Sequence, residues 1–355
     1  MPPNRRAFLA AALAAPLAAP AVARAGTSIR WRLLTAWNRN LPGPGVSAQR
    51  VADRIDAMSG GRLQIELFAA GQIVPAFGVF EAVSTGVAEM GHTAAFFWEG
   101  KLPGASLFTT APFGLGPLEH QTWIEERGGQ ALWDELYAPF NLRAFMAGNT
   151  GPSMGGWFRK PMETLDDLKG LRIRTQGLGA EVYQALGAAP VAISPGDTGV
   201  ALERGTIDAV ELLAPVNDLP LGLNRYAPFY HMPGFNKPNG ASEALISLKA
   251  WDALPSDLRA IVQNACAAEQ ASGLAQAAVA NAQALATLIG DGAKVVSFGP
   301  EILAAMRVQA SKVLERKAGQ SDIARRIVAS YGDAANAGKT WGRIEAYMAQ
   351  ALRAG

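Results

Sequence analysis

Hydrophobic and polar positions along the chain alternate in short runs that stop at glycine. "GGRLQIELFAAG" (Gly60 to Gly71) and "KGLRIRTQGLG" (Lys169 to Gly179) both keep the two-residue period of a half-buried strand. A second pair of segments also match, "FEAVSTGVAEMGHTAAFF" and "GVALERGTIDAVELLAPV". In each a helical pattern ends at a glycine (Gly86, Gly205), the residue favoured at a left-handed helix terminus. A short strand follows, with an acid three residues after the glycine (Glu89, Asp208). The copies lie about 120 residues apart, a spacing that places one in each of two α/β lobes.

The pattern divides the chain further. Residues 26–150 form lobe I, opening with the strand "IRWRLLTAW", a loop holding Pro42 and Pro44, and a helix from about Ser47 to Met58. The buried strand "NLRAFMAG" leads through "NTGPSMGGWF" into lobe II, residues 151–235, and residues 236–255 return to lobe I. From Ser256, after Pro255, helix formers run without a break to Gly290. A helix of that span is about 50 Å long, more than one small domain is wide, so it bridges both lobes. Residues 291–355 read as a C-terminal helical segment of three amphipathic helices.

The first 25 residues stand apart. Arg5 and Arg6 precede an apolar run from Ala7 to Val22, broken by Pro16 and Pro20, and Ala23-Arg24-Ala25 has a small-x-small cleavage pattern. This is an export signal with a twin-arginine (Tat) character, too short and too weakly apolar for a bilayer span. It carries three arginines and no acid, so its removal takes the formal net charge from +2 to −1. The basic isoelectric point belongs to the precursor and is no argument for a nucleic-acid partner. A single cysteine, Cys266, excludes an intramolecular disulfide and a CxxC site.

Candidate chemistry narrows by elimination. Gly177-Leu178-Gly179 follows a strand, as in a dinucleotide fingerprint, but the third glycine position holds Val182. Gly151-Pro152-Ser153-Met154-Gly155 matches G-x-S-x-G, with Asp208 and His231 downstream in hydrolase order. A nucleophile elbow needs a helix directly after its serine, and "MGGWFRKP" supplies glycines and a proline instead. The three histidines are far apart and no metal motif is present. What remains is the strand "LRIRT", with Arg172 and Arg174 on one face. Both read equally as solvated side chains, but Arg174 lies nearer the strand's carboxyl end, the edge at which open α/β sheets bind ligands. A guanidinium there offers a planar fork matched to a carboxylate.

Over nearly its whole length after the export signal, the sequence resembles the solute-binding proteins of TRAP transporters, the DctP-like family, nearest the branch that binds 2-oxo and 2-hydroxy acids. The blocks that carry the likeness include "MSGGRLQIELFAAGQIVPAFGVFEAVSTGVAEMGHTAAFFWEGK", "TAPFGL" with Glu119, "GGWF", "DLKGLRIR", "ALERGTIDAVE", "PVNDLPLGL" and "Y-x-x-PGF". The resemblance implies a two-lobed periplasmic α/β binding fold of type II character, closing on a small organic acid for delivery to the membrane subunits of a permease, without catalysis. It implies Arg174 as the grip on the carboxylate, helped by Asn217, with Phe96, Phe97 and Trp98 lining the pocket. Trp37 faces the ligand or packs in its loop. Relatives include monomers and tail-exchanged dimers, and the helical tail suits either.

Three departures stand out. Oxo-acid binders usually have glutamine, a contact to a bound cation, where this chain has Ser153. Their Glu-Trp pair reads Glu211-Leu212, and the proline before the "GLG" turn is Gln176. No cofactor is expected, and a cation held with the ligand would have Glu211 alone as its carboxylate, at an altered site. Leu212 reshapes the wall over the ligand, and Gln176 supplies an amide near Arg174. A serine hydrolase using Ser153 and a ligand sensor without transport are the competing functions.

Overall fold

The computed structural model describes residues 28–353, so the export signal expected at 1–25 lies outside the described residues. Lobe I begins with β1 (Ile29–Thr35), α1 (Pro44–Ser59), β2 (Leu63–Phe68), α2 (Val79–Ser84) and β3 (Met90–Thr93). It continues through α3 (Pro117–Glu126), α4 (Gly129–Tyr137) and β4 (Leu142–Asn149). The chain then crosses into β5 (Gly156–Phe158), β6 (Arg172–Arg174), α5 (Leu178–Ala185), β7 (Ala189–Val191) and α6 (Thr198–Glu203). Lobe II closes with β8 (Ala209–Val210), α7 (Pro215–Asp218) and β9 (Phe229–Met232). The return supplies β10 (Ala241–Ser247), α8 (Leu248–Ala253) and α9 (Ser256–Gly290), followed by β11 (Lys294–Ser297), α10 (Pro300–Ala318) and α11 (Asp322–Arg353).

Two sheets result, ordered β2-β1-β3-β10-β4 and β11-β9-β5-β8-β6-β7. The two lobes share a motif. β1 lies between parallel partners β2 and β3, and β6 lies between parallel partners β7 and β8. In each lobe an antiparallel strand follows on the β3 or β8 side. The acids after the two glycines mark the same joint. Glu89 accepts from the backbone N–H and guanidinium of Arg32 on β1, and Asp208 does the same for Arg172 on β6. Gly86 and Gly205 both take positive φ before these acids. The counterpart of β6 is therefore β1. The alternating segment at 60–71 that matches β6 in sequence is β2, whose topological partner is β7. Alternation shows that a strand is half-buried but carries no information about its neighbours.

The tail differs from its sequence pattern. It holds two helices, α10 and α11, and before them β11 joins the second sheet beside β9 in parallel register. A four-residue strand flanked by glycine turns has too short a period to stand out among helices.

Three connections link the lobes, and α9 braces them. It packs on β4 and α1 in lobe I and on α7 in lobe II. Its buried Glu269 accepts from Arg50 Nε at 2.9 Å and from Ser47 Oγ at 2.7 Å, both on α1. About three turns on, Asn281 donates to Thr150 O at 3.0 Å and accepts from Val216 N–H at 3.1 Å. Lys317 on α10 forms a further brace, lying 3.4 Å from Glu99 of lobe I and 2.7 Å from Glu181 of lobe II. Cys266 is buried in α9 against lobe I.

Lobe I also contains an unpaired acid. Glu243 on β10 is fully buried, accepting from Trp98 Nε1 at 2.8 Å and Tyr137 Oη at 2.9 Å. Burial pushes its carboxyl up from 4.5 to about 8, with those two donors opposing. A raised folded value means this group's stabilisation is complete below pH 4.5 and is lost as pH rises through 8. Glu243→Gln is expected to raise Tm at pH 9 while leaving it near wild type at pH 4. A calorimetric pH series in which both proteins decline in parallel would exclude Glu243 as the source.

Candidate functional site

Arg172 and Arg174 share one face of β6 but differ in surroundings. Arg172 is half-exposed and pairs with Asp208 at 2.6 Å. Arg174 is 2% exposed, since the residues after β7 and β8 close over it. Its Nε donates to Ile193 O at 3.0 Å and its Nη1 to Glu211 O at 2.9 Å. Burial lowers it to about 10, with Glu211 and Asp218 opposing, so it remains a cation at neutral pH. Two carbonyls thus fix the plane of the guanidinium, and Nη2 has no protein partner among the described residues. Gln176 lies alongside, its amide 3.5 Å from the same Ile193 O.

Glu211 is the hub of the site. It is 1% exposed, and both carboxylate oxygens are engaged. Oε2 accepts from Thr175 Oγ1 at 2.5 Å and Asn236 Nδ2 at 2.8 Å, while Oε1 holds the Lys237 ammonium. Lys237 is 1% exposed and lies in the crossing between β9 and β10. Burial lowers its pKa, and Glu211 beside it opposes that shift. Its Nζ is also 5.4 Å from the centre of the Phe96 ring of lobe I. Ser153 N–H donates to Lys237 O at 3.0 Å, and Ser153 Oγ is buried with no partner among the described residues.

The lobes are closed on one another here. Asn217, at the start of α7, accepts from Ala214 N–H at 3.2 Å and donates to Pro42 O across the interlobe boundary at 2.6 Å. Gly177 takes φ +63°, and a Cβ there would come within 2.9 Å of Phe96 Cβ, so only glycine permits this approach.

The candidate residues therefore separate. Arg174, Gln176, Glu211, Ser153 and Phe96 converge around Lys237 and the interlobe boundary. Phe97 is half-buried beside Phe96, with ring centres 4.7 Å apart, and packs on Trp37 and Phe77. Trp37 turns its indole N–H inward to His92 Nδ1 at 2.9 Å, leaving its ring as a wall. Trp98 sits in the lobe I core, its N–H on Glu243 and its ring on Phe80. Leu212 packs into the lobe II core with Trp157, Val210 and Tyr230. Lys237, Asn236 and Thr175 were missed by sequence reasoning. The signal for them is a lysine and an asparagine placed directly after "PGF" in an apolar crossing.

The hydrolase arrangement is absent among the described residues. His231 Nε2 accepts from Met162 N–H at 3.0 Å, and Asp208 is held by Arg172. Nothing activates Ser153 Oγ.

The family profile for DctP, "bacterial extracellular solute-binding protein, family 7", matches residues 44–320. The chain is 38% identical over 293 residues to the monocarboxylate 2-oxoacid-binding periplasmic protein of Nostoc sp., covering 82% of this chain and 80% of that protein. A TRAP transporter solute-binding protein from Bordetella bronchiseptica, solved with calcium and picolinate, superposes with a TM-score of 0.89. Identity is 32%, over 93% of this chain and 100% of that one. The protein from Colwellia psychrerythraea, solved with calcium and pyruvate, gives 0.88 at 33% identity, over 91% and 99%. That from Pseudoalteromonas atlantica, with sodium and pyruvate, gives 0.87 at 34%, over 90% and 98%.

Asn217→Asp keeps the cap on Ala214 and removes the donor to Pro42 O. A net hydrogen bond contributes about 1 kcal/mol and the new carboxylate oxygen faces the Pro42 carbonyl, so closure is expected to weaken by at least about fivefold. Single-molecule energy transfer between labelled lobes reads this directly. An unchanged closed fraction would assign the contact no part in closure.

Proposed function

Because this chain belongs to the DctP family, family 7 of the bacterial extracellular solute-binding proteins, we propose that it is the receptor of a TRAP transporter. It captures a small carboxylate between its lobes and passes it to the membrane subunits of a permease. The ligand class in this reading is a monocarboxylate with a short carbon skeleton, in keeping with the pyruvate and picolinate bound by its relatives. Residues 1–25 direct its export and are removed in this reading.

The observation that supports it best is the buried guanidinium of Arg174, fixed on Ile193 O and Glu211 O with Nη2 left over. Isolated cations are costly to bury. One held rigidly at an interlobe boundary with a donor unused is set to receive an anion. A charge-assisted hydrogen bond contributes roughly 1.5–3 kcal/mol, whereas micromolar affinity needs about 8 kcal/mol. Arg174 therefore orients the acid, and the rest comes from excluding water and covering the ligand's carbons with Phe96 and Phe97. Because the ligand contacts both lobes only when they meet, binding and closure are one equilibrium. Release is the reverse motion, with no bond made or broken.

The calcium or sodium found with the acid in relatives does not suit the residues here. Both oxygens of Glu211 are committed, one of them to an ammonium. Among the described residues no group of three or more His, Cys, Asp or Glu side chains is placed to hold a metal.

Arg174→Lys keeps the charge but loses the fork and its two carbonyl anchors. Calorimetry with pyruvate is expected to show at least about a tenfold loss of affinity, the worth of one net hydrogen bond to a charged group at the low end of its range. Wild-type affinity in the variant would remove Arg174 from the site.

A further inference from the structure

Lys237 is an unusual residue to find at a closed interlobe boundary. Its ammonium is buried, carries three N–H donors, and finds one hydrogen-bond acceptor among the described residues, Glu211 Oε1. Two donor directions remain. On its other side is an aromatic ring of the opposite lobe, Phe96, at 5.4 Å, a contact that favours a cation but accepts no conventional hydrogen bond. The same residue, Glu211, anchors both cations of the site: Arg174 on its backbone carbonyl and Lys237 on its side chain. The backbone of Lys237 is fixed as well, its N–H on Gly234 O at 3.1 Å and its carbonyl on Ser153 N–H at 3.0 Å.

We propose that Lys237 supplies, from within the chain, the second positive charge of the ligand site, so that this receptor captures its acid without a metal ion. The inference rests on the reading of this boundary as a carboxylate site. One acid oxygen meets Arg174 Nη2 and the neighbouring oxygen, carboxylate or 2-oxo, meets a free N–H of Lys237. A metal ion brought to Glu211 would have to displace an ammonium already seated there, and would meet its repulsion at contact distance. A cation carried by the chain also escapes dilution. Its effective concentration at the site is independent of the medium, whereas a free ion binds by mass action. Ser153 fits the same arrangement through its backbone, whose N–H on Lys237 O helps to order the lysine.

The experiment is calorimetry of pyruvate, with lactate and 2-oxobutyrate as further probes. It uses the exported form of the protein after exhaustive chelation, in choline buffer, then with calcium or sodium restored. The expected result for wild type is one dissociation constant, unchanged within about twofold across all conditions. Lys237→Met, of similar length and uncharged, is expected to bind the same acid at least about tenfold more weakly in metal-free buffer. Tenfold or greater weakening of the wild type by chelator, or its rescue by calcium or sodium, would overturn the inference while leaving the receptor reading intact. Unchanged affinity in a folded Lys237→Met would also overturn it, reducing the lysine to a structural counter-ion. Should that variant not fold, the wild-type chelation series decides alone. If no probe binds under any condition, the reading of the ligand as a short monocarboxylate falls, and this inference with it.

Discussion

A carboxylate that is 1% exposed needs compensation for the water it has lost, and Glu211 obtains it from three side chains. Thr175 and Asn236 donate to one oxygen and Lys237 sits on the other, while the backbone carbonyl of the same residue accepts a hydrogen bond from Arg174 Nη1. Removing one partner of such a group costs far more than the contact itself contributes, because the other charge is left uncompensated. The arrangement is therefore rigid. It sets the plane of Arg174 and the position of Lys237 before any ligand arrives, and pre-set donors spend less of the binding energy on ordering themselves.

Rigidity at the hub and mobility at the boundary are divided between different elements. β6, β8 and the segment after β8 carry Arg174 and Glu211 within lobe II, while Lys237 belongs to the crossing that returns the chain to lobe I. Phe96 and Pro42 come from the other lobe and meet Lys237 and Asn217 at the boundary. α9 and the Lys317 pairs hold the two lobes in one relation at the rear. At the site itself the lobes meet through Asn217 on Pro42 and Gly177 against Phe96. Capture by such a molecule is a two-state shift, driven by how much better the acid contacts the closed form.

Much of this architecture could be read from pattern. The long helix of 35 residues announces itself by an unbroken run of helix formers, and the glycine-then-acid motif finds the same joint in both lobes. Strand period alone does not separate Arg174 from Arg172, and its place nearer the strand's carboxyl end is what singles it out in sequence. What escaped reading was set by tertiary contacts. Whether Trp98 faces a pocket or a core depends on the buried Glu243, 145 residues away. Leu212 lies next to Glu211 in sequence yet packs into the lobe II core, because side chains on opposite sides of an extended segment meet different layers. Lys237 was the largest omission. A lysine between an asparagine and a proline reads as a solvated turn until the fold folds it over a carboxylate from a strand end 26 residues earlier.

The most direct measurement is a crystal structure of the exported protein with bound pyruvate, with anomalous data collected to detect calcium. The account predicts the acid enclosed between the lobes, its carboxylate on Arg174 Nη2, Lys237 Nζ within hydrogen-bond distance of a second ligand oxygen, and no metal peak beside Glu211. An acid bound away from Arg174, or a metal ion seated on Glu211 with Lys237 swung aside, would contradict it.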